Sequence, residues 1–88
     1  MDLAQITGRL SRLEGWELEG DTIRKVYTFP DFPSAMAFAN RVAGIAEQAG
    51  HHPDILVQYC KVTLALTTHD AGGLTKKDFD LAAQIDAL

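Results

Sequence analysis

The stretch GWELEGDTIRKVYTF, residues 15–29, decides the architecture. Trp16 and Leu18 alternate with Glu17 and Glu19; Ile23, Lys25, Tyr27 and Phe29 then alternate with Arg24, Val26 and Thr28. A period of two is the signature of a strand that buries one face and wets the other. Glu19-Gly20-Asp21 lies between the two runs and supplies the turn. The segment predicts an antiparallel hairpin, and a hairpin with one apolar face needs a second layer to cover that face.

The flanking segments provide that layer. Upstream, Leu3, Ile6, Leu10 and Leu13 fall on one face of a helix expected over residues 3–13, with Asp2 as its cap and Gly8 weakening it. Downstream, PDFPS (30–34) breaks the strand. Asp31 or Ser34 can cap the next helix, and Pro33 is tolerated only in a first turn. From 34 to 49, Ala35, Phe38, Ala39, Val42, Ala46 and Ala49 recur at helical spacing, and Gly50 is the expected terminator.

Residues 54–59 and 61–69 read as two more strands. Val62, Leu64 and Leu66 face one side of the second, and Thr63, Ala65 and Thr67 the other. DAGG (70–73) is a loop. Thr75 and Asp78 are spaced for a capping box, Leu74 and Phe79 for a hydrophobic staple, and Leu81, Ala82 and Ile85 continue the apolar stripe of a last helix. The expected fold is a single α+β domain spanning 1–88, in the order α-β-β-α-β-β-α. It has two layers, a four-stranded antiparallel sheet with helices on one face.

Composition narrows the function classes. A chain of 88 residues with 47% hydrophobic content is a globular protein with a small core. Such chains gain stability by self-association, so a homo-oligomer is expected. The net charge of −4, with basic residues scattered, argues against nucleic acid and against an anionic membrane as partners. No apolar run approaches the roughly 20 residues of a membrane span. MDLAQITGRL carries no secretory pattern, and Cys60 is the only cysteine, so a reducing, cytoplasmic setting is expected. Cys60 itself reads as a small core residue.

The chemistry is carried by histidine. GHHPDILVQY (50–59) places His51 and His52 against Pro53, and the only other histidine is His69. Proline restricts the backbone of His52. Glu47 lies four residues before His51 and shares its face if the helix persists that far. His69 is expected at the end of the last strand, from which sheet pairing can bring it near residues 51–53. Imidazoles both give and take protons at neutral pH, so three at the end of a sheet could serve an elimination.

Other readings of the same residues stand beside this one. The three histidines could hold zinc, although adjacent histidines seldom aim at one ion and no HExxH or CxxC pattern is present. They could also be solvated loop residues, making the chain a non-catalytic oligomeric interaction module. Glu47 reads either as an orienting carboxylate or as a solvated helix residue, Asp78 as a helix cap, and Asp70 as a turn former. Tyr59 and Trp16 are expected to be packing residues.

Taken together, Glu47, His51-His52-Pro53, Tyr59, His69 and Asp78 resemble, in order and spacing, the motif of the pterin-4a-carbinolamine dehydratases. GWELEG, FPDFPSAMAFANRVAGIAE and THDAGGLTKKDFDLAAQID also look like blocks of that family, so the resemblance covers almost the whole chain. It implies a two-layer α+β fold and a hydro-lyase, 4a-hydroxytetrahydrobiopterin dehydratase, that converts 4a-hydroxytetrahydropterin to quinonoid dihydropterin and water. This recycles a tetrahydropterin cofactor.

The resemblance implies no metal and no cofactor, a pterin substrate, and a homodimer or homotetramer. Carried over by motif, His51, His52 and His69 are the acid–base set. Glu47, Pro53, Thr68, Asp70 and Ala71 join them around the substrate. Two positions depart from the pattern: Gly50 replaces a commonly polar residue, and Ile55 lies near a tryptophan of animal members. The transcriptional role of animal members has no support in these residues and is not carried over.

Overall fold

Each helix begins where the sequence supplies a cap. The computed structural model describes residues 1–88. Helix α1 (Leu3–Leu10) starts at Asp2, whose carboxylate accepts from the Gln5 amide at 2.8 Å while the Gln5 side chain accepts from the Asp2 amide at 2.9 Å. Helix α2 (Phe32–Ala49) starts two residues earlier than expected, because Asp31 and not Ser34 is the cap: its Oδ1 accepts from the Ser34 amide at 2.8 Å. Pro33 then sits in the first turn, where no intrahelical N–H is required. Helix α3 (Lys76–Asp86) starts at the Thr75 cap.

The helical stripes are shorter than the spacing predicts. α1 ends at Leu10 rather than residue 13, and Leu3 is 67% exposed because no element covers the first turn; Ile6, Leu10 and Leu13 do reach the core. α2 buries Ala35, Phe38, Ala39, Val42 and Ala46, but its last turn rises clear of the core and leaves Ala49 exposed.

The four strands are β1 (Glu17–Glu19), β2 (Thr22–Thr28), β3 (Asp54–Gln58) and β4 (Lys61–Leu66). They form one antiparallel sheet in the order β1-β2-β4-β3. Two pairings are local hairpins; the first turns through Gly20, whose φ of 64° glycine adopts without steric cost. The third joins β2 to β4, from Ile23 opposite Leu66 to Thr28 opposite Lys61. β4 is thereby central, and Val62, Leu64 and Leu66 are fully buried under the helices. In β2, Arg24, Val26 and Thr28 are exposed on the far face.

The later hairpin departs from expectation at both ends. β3 stops at Gln58 because Tyr59 takes a left-handed φ of 52° in the turn; it is 71% exposed and does not pack. Cys60 shares that turn and is half-buried rather than a core residue. β4 stops at Leu66, and His69 lies not on a strand but in a single 3₁₀ turn, His69–Ala71, where the chain bends back toward α3.

The first hairpin is tied to the end of α3 by one carboxylate. Asp86 accepts from Trp16 Nε1 at 3.0 Å, from Lys25 Nζ at 2.9 Å and from the Tyr27 hydroxyl. Burial, reinforced by hydrogen bonding and repulsion from Asp86, pushes the Tyr27 hydroxyl well above the ordinary tyrosine range. No helix is long and apolar enough to cross a membrane.

This packing is testable at two points. Leu64→Ala should cost about 2–5 kcal/mol in urea unfolding, whereas Leu3→Ala should stay within about 0.5 kcal/mol. A phenol whose folded pKa is raised binds its proton more tightly in the native state. It therefore stabilises fully below the unfolded value of 10.0 and loses that contribution as pH rises beyond it. The decline in urea midpoint above that pH should be shallower in Tyr27→Phe than in the parent chain.

Candidate active site

The site is assembled where α2 ends, β4 ends and α3 begins. Gly50 takes φ 65° and ends α2 in a Schellman turn: its N–H reaches the Glu47 carbonyl, and the His51 N–H reaches that of Ala46. This reversal sends two consecutive imidazoles to different partners. His51 turns inward, and its Nε2 lies 2.5 Å from Asp78 Oδ1. His52 turns outward, and its Nε2 lies 2.7 Å from Glu47 Oε1. The expectation that Glu47 shares a face with His51 is therefore corrected, since the left-handed glycine breaks the helical phase before His51.

The two pairs differ in setting. Asp78 is completely buried and the His51 side chain is 12% exposed, while the His52 and Glu47 side chains are 66% and 79% exposed. Asp78 is also the capping-box partner of Thr75 that its spacing predicts: Oδ2 accepts from the Thr75 amide at 2.9 Å. The same oxygen accepts from the Thr68 hydroxyl at 2.8 Å, and Thr68 in turn lies 2.8 Å from the Thr75 hydroxyl. Thr68 has one proton and gives it to the carboxylate, so Thr75 is the donor to Thr68. No buried side-chain polar atom is left without a partner.

His69 stands apart from this network, exposed on its 3₁₀ turn, yet it faces the same space. Gly50, His51, His52, Thr67, Thr68, His69, Asp70 and Lys77 line one open pocket of about 230 Å³ with no apolar wall. All three histidines thus border one pocket. Of the other sequence-predicted residues, Thr68 and Asp70 line the pocket, Ala71 lines the adjoining groove, and Glu47 and Pro53 stand outside the lining, Glu47 behind His52. A larger cleft, about 380 Å³, opens at the far ends of α2 and α3 between Tyr27, Phe29 and Phe38, but it carries no imidazole. No three His, Cys, Asp or Glu side chains converge to hold a metal ion.

Sequence reasoning missed Thr67 and Lys77 in the lining; it included Asp78 in the motif but explained it physically only as a helix cap. For Lys77 the available signal was that it opens, beside Asp78, the helix that comes after the His69 turn. The asymmetry of the two carboxylates is testable by unfolding. Asp78→Ala should cost on the order of 3 kcal/mol, because it strands a buried imidazole and leaves donors unpaired. Glu47→Ala should cost at most about 1 kcal/mol, as for any exposed pair.

Comparison with known proteins places the chain in a family. The profile of the family described as pterin 4 alpha carbinolamine dehydratase matches residues 1–88. A protein of Roseiflexus sp. (strain RS-1) is 61% identical over 85 residues, spanning 97% of this chain and 91% of its own. One of Acidobacterium capsulatum is 60% identical over 83 residues, spanning 94% and 90%. Both carry a provisional name as pterin-4-alpha-carbinolamine dehydratases.

Among solved structures, a transcriptional coactivator/pterin dehydratase from Brucella melitensis superposes with a TM-score of 0.93 at 30% identity, covering 99% of this chain and 95% of that one. A pterin dehydratase-like protein described as a RuBisCO assembly factor in the alpha-carboxysome shares the fold alone, with a TM-score of 0.66 at 23% identity over 82% and 83% of the two chains. By the full-length match of its profile and the identity of these relatives, the chain belongs to the pterin 4 alpha carbinolamine dehydratase family.

Proposed function

We propose that this protein is a 4a-hydroxytetrahydropterin dehydratase that works by histidine acid–base catalysis. The observation that carries this reading is the single pocket lined by His51, His52 and His69, with a carboxylate behind each of the first two. His51, His52 and His69 are the catalytic set. Thr68 and Asp70 border the substrate directly, Ala71 borders it from the adjoining groove, and Pro53 fixes the backbone that aims His52. Glu47 acts through His52 as a positioning residue.

Hydroxide is a poor leaving group. An imidazolium delivers its proton to the C4a hydroxyl as the carbon–oxygen bond breaks, and water departs. The N5–H electrons form the C4a–N5 double bond, and the N5 proton passes to a neutral imidazole or to water. The two rings regain their starting states by proton exchange with solvent.

Carboxylate contacts decide which nitrogens are free for this. A carboxylate only accepts, so the Nε2–H of His51 is committed to Asp78, and its proton traffic with substrate passes through Nδ1. The same holds for His52 and Glu47. His69 has neither nitrogen held by another side chain. We assign His51 and His69 as acids toward opposite faces of C4a, with His52 binding the ring or taking the N5 proton. The small chain and the exposed Ile55 and Leu56 on edge strand β3 support self-association as a homodimer or homotetramer.

His51→Ala, His52→Ala and His69→Ala should each lower the dehydration rate of an enzymatically generated carbinolamine, by about 10²–10⁴ for the residue acting as acid. Following quinonoid dihydropterin by absorbance checks this. Parental rates in all three variants would end the proposal.

A further inference from the structure

His69 is the one histidine of the pocket with no side chain behind it, whereas His51 has Asp78 and His52 has Glu47. Its placement therefore comes from the backbone that carries it. That backbone is the loop from Thr68 to Gly73, closed by an antiparallel bridge. The Thr68 N–H reaches the Gly73 carbonyl at 3.1 Å, and the Gly73 N–H returns to the Thr68 carbonyl at 3.3 Å. Inside the loop, the Ala71 N–H reaches the Thr68 carbonyl and the Gly72 N–H that of His69. These bonds set the shape of the loop. Two threonine hydroxyls set where it sits. Thr68 Oγ1 ties it to Asp78 on α3 at 2.8 Å, and Thr67 Oγ1 ties it to the first hairpin, donating to the Asp21 carbonyl at 2.7 Å.

The second tie stands where the sheet gives out. The pairing of β2 with β4 ends at Ile23 opposite Leu66. One residue further, the Thr67 hydroxyl takes over from the backbone ladder and reaches into the Gly20-Asp21 turn. The same turn abuts the other end of the loop: Asp21 Cβ lies 3.9 Å from where a Cβ on Gly73 would stand. A hydroxyl has one proton, and this one goes to Asp21, so Thr67 has none to give a substrate although it lines the pocket. Without that bond the loop is fastened from the α3 side alone, and the exposed ring of His69 is free to swing relative to His51. Proton transfer needs heavy atoms within about 2.6–3.2 Å, so a small rotation of the loop is felt in the rate.

Resting on the proposed dehydratase reading, we infer that Thr67 is a positioning residue for His69: its bond to the Asp21 carbonyl fixes how that imidazole stands at the pocket. The test compares the parent chain with Thr67→Val, which exchanges the hydroxyl for a methyl at nearly constant shape, and with Thr67→Ser, which keeps the hydroxyl. It measures kcat and KM for a carbinolamine and records the ring ¹H–¹⁵N NMR signals of the histidines. A circular-dichroism melt of each variant verifies folding, and Thr67→Ala takes the place of Thr67→Val if the valine chain is unfolded.

In Thr67→Val the His69 ring signals should move, while those of His51, backed by Asp78, stay in place. The kcat should fall about tenfold with KM within about twofold of the parent, because a displaced acid loses transition-state contact rather than substrate binding. Thr67→Ser should restore both the signals and the rate. Unmoved His69 signals, a parental kcat, a loss carried by KM, or no rescue by serine overturns the inference. A parent chain that dehydrates no carbinolamine strikes the dehydratase reading instead, and the His69 signals then still decide whether Thr67 places that ring.

Discussion

One buried carboxylate holds the functional end of this fold together. Asp78 takes a backbone N–H from the start of α3, a hydroxyl from Thr68 beyond the end of β4, and an imidazole from His51 beyond the end of α2. The end of α2 is therefore joined to the β4–α3 connection at one pair of oxygens. A buried charge is costly unless it is paired and hydrogen-bonded, and here three donors engage both oxygens. The demand for that satisfaction fixes where α3 begins relative to the histidine loop, and so the shape of the pocket.

The far end of the molecule repeats this device with Asp86, which gathers Trp16, Lys25 and Tyr27 from the first hairpin. α3 is thus pinned at both ends by carboxylates, while its middle residues Leu81, Ala82 and Ile85 bury against the sheet. The helix that carries Lys77 and Asp78 has little freedom to slide. Groups that must meet a substrate within hydrogen-bond reach need this kind of backing.

The histidines divide the labour between rigidity and access. His51 is held from behind by a buried group, His52 by a solvated one, and His69 by none. A site open to water with no apolar wall gains less from its electrostatics than an enclosed one. Modest acid–base assistance is consistent with that openness.

The alternation in residues 15–29, the caps at Asp2, Asp31 and Thr75, and the stop at Gly50 are local signals. Each depends on neighbours within a few positions, so the elements and their order could be read without coordinates. The motif that joins His51, His52 and His69 was legible as a pattern, but not as a place. Strand order, with β4 between β2 and β3, comes from a pairing of residues 23–28 with 61–66 that no local rule dictates. The same limit hid the pairing of His51 with Asp78, 27 residues away, because capping already accounted for that carboxylate. It also led to the misplacement of His69 and of the partner of Glu47. Local chemistry settled what each segment is; packing around a shared core settled which side chains meet, because only burial brings distant donors to a charge that cannot stay unpaired.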